Sequence, residues 1–296
     1  MKTYYILYNP KAGNGRGRER AEELTLLFDD EEARYLDMMT IHDYAALFSF
    51  LMPEDALVLC GGDGTLNRFV NETQGLTLPN DILYYATGTG NDFLEDIRAS
   101  AGTGLVSIRH YLDMLPTVTV NGKNYRFLNG VGFGIDGYCC EEGDRLRGTS
   151  EKPVNYTAIA IKGLLFHYKP VNAVVTVDGV EKHYKKVWLA PTMNGRYYGG
   201  GMIPTPKQDR LQNDTVSTLV MHGSGKLKTL MVFPSIFKGT HIKHTEMAEV
   251  LSGKHITVEF DRPTPLQIDG ETIPGVTSYS VIAAEPGENL ERETAG

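Results

Sequence analysis

Apolar and polar positions in the first third of the chain switch repeatedly between two periods. "TYYILYN" is β-branched and aromatic and predicts a strand, whereas "GRERAEELTLLF" carries its apolar residues at helical spacing. The alternation continues with "ARYLDMMT" as a strand, "DYAALFSFL" as a helix, "DALVLC" as a buried-type strand, "TLNRFVNET" as a helix, "DILYYAT" as a strand and "NDFLEDI" as a helix. Such alternation implies a parallel sheet with covering helices. After about Pro116 the pattern shortens to "TVTVNGKNYRFLNG", "AVVTVDGVEKHYKKVWLAP" and "HITVEFDRPTPLQIDGETI", in which Asn-Gly and Asp-Gly mark hairpins. One long helical candidate, "PVNYTAIAIKGLLFHY", interrupts these strands. The expected architecture is an α/β N-terminal domain with a parallel sheet, followed by a mostly antiparallel β domain, with the boundary near residues 113–122.

Composition narrows the function more than the fold. At 296 residues, with 41% hydrophobic and 22% charged positions, the chain has ordinary globular usage and room for two cores. A formal charge of -8 argues against a general nucleic-acid binder. The basic run "GRGRER" is followed at once by acids and reads as a solvated helix start. Cys60, Cys139 and Cys140 have neither metal-ligand spacing nor a disulfide framework, which fits a reducing, cytoplasmic setting. No apolar run approaches 18 residues, so no transmembrane segment is expected and any lipid would be met at a bilayer surface or in a cleft.

The chemistry concentrates where predicted strands run into helices. "NPKAGNGRG", "GGDGT" and "TGTGND" each follow a strand, and strand ends leading into helix N-termini are the usual seats of anionic ligands in open α/β sheets. Glycines there let a backbone approach phosphate closely, and Asn9, Thr65, Thr89 and Asn91 can donate hydrogen bonds to phosphate or sugar oxygens. Neither standard fingerprint is met. Arg18 stands where GxGxxG needs its third glycine, and "GSGKLKT" lacks both the leading glycine and the hydroxyl residue after lysine of a Walker A loop. The aspartate of "GGDGT" has two readings, a helix-capping acid or a carboxylate that holds magnesium against bound phosphates. Thr65 is the better N-cap, which leaves Asp63 available.

Taken in order, "NPKAG" at 9–13, "GGDGTLN" at 61–67, "GTGNDF" at 88–93, "NGVGFGID" at 129–136, "NGRYYGGGM" at 194–202 and "DGE" at 269–271 resemble the diacylglycerol kinase catalytic-domain family, soluble lipid kinases related more distantly to sphingosine and ceramide kinases. The resemblance implies a nucleotide-binding domain at 1–117, to which the tail 277–296 is able to return. It implies a β-sandwich lipid-binding domain at 118–276 and an ATP site in the cleft between the two. It places nucleotide contacts on Asn9, Thr40, the loop Gly61, Gly62, Asp63, Gly64, Thr65, Leu66 and Asn67, and Thr89. It makes Glu271 the catalytic carboxylate that takes the proton from a lipid hydroxyl, with Asp63 supporting the magnesium and water network. From the residues alone, "QIDGETI" is equally a hairpin with Asp269 and Gly270 in the turn and Glu271 exposed on the strand.

The chain departs from the family at several points. Ala12 stands where serine is usual, Arg68 replaces a common glutamate after the "GGDGTLN" asparagine, and no proline precedes the third loop. The structural magnesium site of bacterial members maps to Asp214 with the carbonyls of Leu211 and Val216, although Thr215 occupies a glycine position. His241 and His244 lack a third ligand and are expected at the solvated surface. The activity implied is an ATP- and magnesium-dependent lipid kinase acting on diacylglycerol or a related lipid. The alternatives are a catalytically silent sensor of the same fold, kept open by Arg68 and Thr215, and an NAD kinase-like enzyme sharing the "GGDGT" loop. Binding at the inner membrane surface would need a local basic face, for which Arg16, Arg18, Lys226 and Lys228 are candidates.

Overall fold

Strand β1 (Thr3–Tyr8) lies between β2 (Glu32–Asp37) and β3 (Ala56–Gly61), parallel to both, and β4 (Ile82–Ala86) runs parallel on the far side of β3. The short β5 (Val106–Ser107) closes that edge antiparallel, giving the order β2-β1-β3-β4-β5. The expected parallel sheet is therefore present, with one antiparallel edge strand added. The computed structural model describes residues 2–28, 32–79, 81–87, 90–97, 104–147, 159, 162–163, 167–211 and 214–284. The chain divides into two compact units, Met1–Met114 and Leu115–Gly296.

In the first unit the helices are α1 (Ala12–Gly15), α2 (Gly17–Glu22), α3 (Tyr44–Ser49), α4 (Asp63–Glu72), α5 (Asp92–Asp96) and α6 (Arg109–Asp113). All six residues of β3 are buried, as the unbroken apolar run "ALVLCG" requires of a strand covered on both faces. One core joins Ile6, Val58 and Cys60 of the sheet to Ala21, Leu24 and Phe28. The helix read from "GRERAEELTLLF" is shorter than its pattern, because the chain tightens into a 3-10 helix over Glu23–Leu27. Arg16, Arg18 and Arg20 pair with Glu19, Glu22 and Glu23 on the exposed face, so the basic run is neutralised locally.

The second unit is antiparallel. Its sheet runs β13 (Ala248–Gly253), β12 (Val216–Met221), β11 (Leu189–Met193), β8 (Gly130–Gly134), β14 (His255–Ile268), β15 (Glu271–Ile282), β6 (Thr117–Val120) and β7 (Lys123–Arg126). The hairpin β9 (Val171–Val177) and β10 (Val180–Val187) joins through β14. Strand β14 changes partner along its length. Ile256–Phe260 pair with β9, whereas Leu266–Ile268 pair with β8 beyond an irregularity between Glu259 and Thr264. Alternate residues Val171, Ala173, Val175, Ile256, Val258 and Phe260 consequently face one core with Phe133 and Tyr279. Helix α7 (Ile135–Arg147) and helix α8 (Lys226–Val232) belong to this unit, and Ile135, Cys139 and Val232 share a second core with Trp188 and Leu219. The long helical candidate at 153–168 lies almost wholly outside the described residues.

The three predicted hairpin turns form as read. Asn121-Gly122, Asp178-Gly179 and Asp269-Gly270 all adopt positive φ, which suits the right-handed twist of the flanking strands. Among the described residues no helix is long and apolar enough to cross a membrane.

Gly17 explains the failed dinucleotide fingerprint. A Cβ there would stand 1.8 Å from the carbonyl oxygen of Asn9, so the close helix-to-strand approach is made one residue earlier than GxGxxG would place it. Gly17→Ala should cost about 1–3 kcal/mol of stability, as overpacking against rigid backbone does. Urea unfolding monitored by circular dichroism would measure it, and an unchanged midpoint would refute the packing role.

Candidate functional site

The loops after β3 and β4 are tied to each other by backbone groups, and the loop after β1 packs close to the end of β4. Asn9 closes the first, its Oδ1 accepting from Lys11 N at 2.9 Å and its carbonyl from Ala12 N at 3.0 Å. Gly13 follows at φ +58°, and a Cβ there would lie 3.2 Å from the carbonyl oxygen of Thr87, past the end of β4. The carbonyl of Gly61 accepts from Thr87 N and from the Tyr84 hydroxyl, both at 2.9 Å. Burial pushes the pKa of that hydroxyl well up, so it stays a donor. Gly61 must be glycine because the Thr65 side chain fills the space its Cβ would need, with Oγ1 at 2.1 Å.

Asp63 is the centre of this arrangement. Its backbone N–H donates to the carbonyl of Gly90 at 3.0 Å, and its carboxylate accepts from Asp92 N at 2.8 Å and from Phe93 N at 3.3 Å. It therefore joins the "GGDGT" loop to the "GND" turn by satisfying N–H groups at the start of α5. This corrects the expectation that Thr65 caps α4. The N-cap is Gly62, with no side-chain bond, and Asp63 caps a different helix. The start of α4 is left without a side-chain cap, and a Cβ on Gly64 would meet nothing within 4 Å. An uncapped helix N-terminus beside open space and glycine backbone suits a phosphate group.

The remaining expected contacts differ in what they can offer. Thr40 is exposed in the 3-10 turn Met38–Thr40 after β2, its hydroxyl donating to the carbonyl of Asp37 at 2.8 Å. Leu66 is fully buried and Asn67 nearly so, which leaves Leu66 only its backbone for a ligand. Thr89 lies outside the described residues. Arg68 lies on α4 with its guanidinium 2.6 Å from Glu72 Oε1 one turn on, and with Nη1 2.8 Å from Met39 Sδ. Its charge is answered within its own helix.

In the second unit three separated motifs converge on one turn. Asp269 accepts three consecutive backbone N–H groups, from Leu128 at 2.6 Å, Asn129 at 2.8 Å and Gly130 at 3.0 Å, and its own N–H donates to the Gly130 carbonyl. Asn194 Nδ2 and Arg210 Nη1 both donate to the carbonyl of Leu128 at 3.1 Å, and Arg210 Nη2 donates to Asn129 Oδ1. Glu271 follows as an exposed residue opposite Ile268, presented on a hairpin whose turn has almost no freedom. Arg210, a buried guanidinium, is the residue that sequence reasoning missed, since no motif or spacing marks it.

Beneath the hairpin lies Asp136, at the start of α7. Its Oδ1 accepts from Gly137 N at 2.9 Å, while Oδ2 is buried without a hydrogen-bond partner. Burial raises the carboxyl from its ordinary 3.8 to about 7. Gln267 connects the two levels. Its Oε1 accepts from Gly270 N at 2.8 Å and its amide faces Asp136, lowering that pKa somewhat, although Nε2 itself stops short of hydrogen-bond geometry.

Two expectations outside this cluster change. His241 is fully buried rather than solvated, with Nε2 2.9 Å from the Pro204 carbonyl oxygen, and burial lowers its pKa. The carboxylate of Asp214 is paired with the Lys254 ammonium, while Leu211 is exposed and Val216 begins β12. A magnesium ion in that loop would have to displace the lysine. Among the described residues, no cluster of three His, Cys, Asp or Glu side chains could hold a metal ion.

Known proteins match this arrangement along most of the chain. Residues 3–113 match the diacylglycerol kinase catalytic domain, and residues 129–287 match the YegS C-terminal NAD kinase beta sandwich-like domain. A Mycobacterium tuberculosis protein named diacylglycerol kinase is 26% identical over 87% of this chain and 84% of its own. The crystal structure of a diacylglycerol kinase from Bacillus anthracis superposes with a TM-score of 0.60 at 18% identity, covering 96% of this chain and 94% of that one. The chain belongs to the diacylglycerol kinase family of lipid kinases.

Asp136 gives the site a pH signature. The folded protein keeps a proton that the unfolded chain releases near 3.8, so stability falls as pH rises through the window up to about 7 and then levels off. Asp136→Asn should flatten that decline, which is on the order of 2–4 kcal/mol in the wild type between about pH 5 and about pH 8. Urea unfolding at both pH values tests this, and equal slopes in the two proteins would refute it.

Proposed function

We propose that this protein is an ATP-dependent lipid kinase that transfers the γ-phosphoryl group to a hydroxyl of diacylglycerol or a closely related lipid. The observation that carries the reading is the joining of the strand-end loops through Asp63, which leaves the α4 N-terminus uncapped beside Gly64. The relative named diacylglycerol kinase supports the acceptor class. The nucleotide phosphates rest against Gly61–Asn67 and the α4 dipole, with Asn9 and Thr40 at the margins of the nucleotide. Magnesium, when bound, neutralises charge on the phosphates. Asp63 is the carboxylate of that loop. Its two oxygens accept N–H groups, so its first task is to hold the loops together, and it is the carboxylate that would support magnesium there.

Phosphoryl transfer asks for positioning and for a group that takes the hydroxyl proton. The lipid oxygen attacks the γ-phosphorus, the bond to the bridging β,γ oxygen breaks, ADP leaves, and the proton passes to Glu271. Asp269 makes that role possible, because a turn fixed by three N–H bonds holds the following carboxylate in one place. Arg68 is paired with Glu72, so its charge is no argument for the silent-sensor alternative.

Purified protein should release ADP in a magnesium-dependent way that rises with diacylglycerol in mixed micelles, and the absence of turnover with any long-chain alcohol lipid would sink the reading. Glu271→Gln should lower kcat about 100- to 10,000-fold with ATP affinity nearly unchanged. Gly64→Ala should do the converse to binding. Its Cβ enters open space, so the fold is kept or slightly stabilised, while ATP affinity measured by calorimetry drops at least several-fold.

A further inference from the structure

Helix α8 and the 3-10 turn that continues it, Phe233–Lys238, are amphipathic in an unusual sense. The inner face is fixed. Thr229, Val232, Phe233 and Ile236 are buried, and the Thr229 hydroxyl lies 2.7 Å from that of Ser224, whose carbonyl accepts from the lone tryptophan, Trp188. The outer face is apolar where a solvated helix would be charged. Leu227 and Met231, one turn apart, are 76% and 75% exposed, and Pro234 and Phe237 extend the stripe along the same side.

Lysines frame this stripe. Lys226, Lys228 and Lys238 are all exposed, and the segment from Gly225 to Lys243 holds four lysines and no acidic residue in a chain of net charge -8. Lys228 pairs with Glu246 at 2.8 Å. The other basic candidates, Arg16 and Arg18, are paired with acids on their own helix, and among the residues whose burial is described that helix presents no exposed large apolar side chain beside them.

We infer that the face formed by Leu227, Met231, Pro234 and Phe237, ringed by Lys226, Lys228 and Lys238, docks the protein on an anionic lipid bilayer. The apolar side chains enter the boundary between headgroups and acyl chains, and the ammonium groups meet lipid phosphates, with Lys228 shared between them and Glu246. A second copy of the chain is the poorer occupant. A two-fold contact would set the lysines of one face against those of the other, and the neighbouring acid, Glu246, is already engaged. The inference rests on the lipid-acceptor reading only for its purpose, since bilayer binding is measured without turnover.

Cosedimentation of the full-length protein with vesicles tests it. The protein should bind vesicles of phosphatidylcholine with phosphatidylglycerol, bind pure phosphatidylcholine far more weakly, and be released by salt. The double variant Leu227→Glu, Met231→Glu should lose about 10-fold or more in affinity, and Lys226→Glu, Lys238→Glu should lose the preference for anionic lipid. All four positions are exposed, so circular dichroism and the thermal midpoint should match the wild type. Turnover of a monomeric short-chain diacylglycerol should be unchanged in the Leu227/Met231 variant while turnover on vesicles falls. Wild-type protein that ignores anionic vesicles, variants that bind as well as it does, or a dimer in solution that Leu227→Glu dissociates would each overturn the inference. Vesicle binding without kinase activity would leave it standing and reject the proposed function instead.

Discussion

A single carboxylate organises the second unit. Asp269 accepts the N–H groups of Leu128, Asn129 and Gly130, which otherwise would be buried or half-buried donors without partners at the start of β8. Charge-assisted bonds of this kind are worth more than neutral ones, and losing the acceptor would strand all three donors at once. The turn of the β14–β15 hairpin is thereby fixed to β8, Arg210 and Asn194 complete the cluster from a third segment, and the position of Glu271 follows. The "DGE" motif divides its labour accordingly. The aspartate anchors, the glycine turns and the glutamate is presented.

The first unit solves the same problem in the same way. Asp63 satisfies the donors at the start of α5 and so ties two loops that belong to adjacent strands. Its acid is spent on a neighbouring helix, which leaves its own helix uncapped and available to an anion. The charge of Arg68, the most conspicuous departure in this loop, is taken up by Glu72 four residues along, so the substitution is compensated where it occurs. Both anchors place a carboxylate under backbone N–H groups of another segment.

Asp136 and the α8 face show what the fold leaves unsatisfied. A carboxylate with one orphaned oxygen beneath the hairpin is an energetic cost that protonation relieves. An exposed Leu–Met stripe framed by lysines is a cost in water that a bilayer surface removes.

Much of the fold was legible in the residue pattern because its causes are local. Period-two runs located most of the described strands and period-3.6 runs the helices α2 to α5 but not α1, α6, α7 or α8, and Asn121-Gly122, Asp178-Gly179 and Asp269-Gly270 had to turn because only such pairs adopt consecutive positive φ cheaply. The ordered motifs likewise marked the family. Tertiary structure decided the matters that depend on register and packing between distant segments. It gave Asp269 partners 140 residues away in sequence, turned Asp63 into the cap of another helix, buried His241 and brought the unmarked Arg210 into the cluster. It also chose which side of α8 stayed in water. A carboxylate's preferred conformation is written in its neighbours along the chain, but its hydrogen-bond donors are set by which strands pair, and no short stretch of sequence contains that.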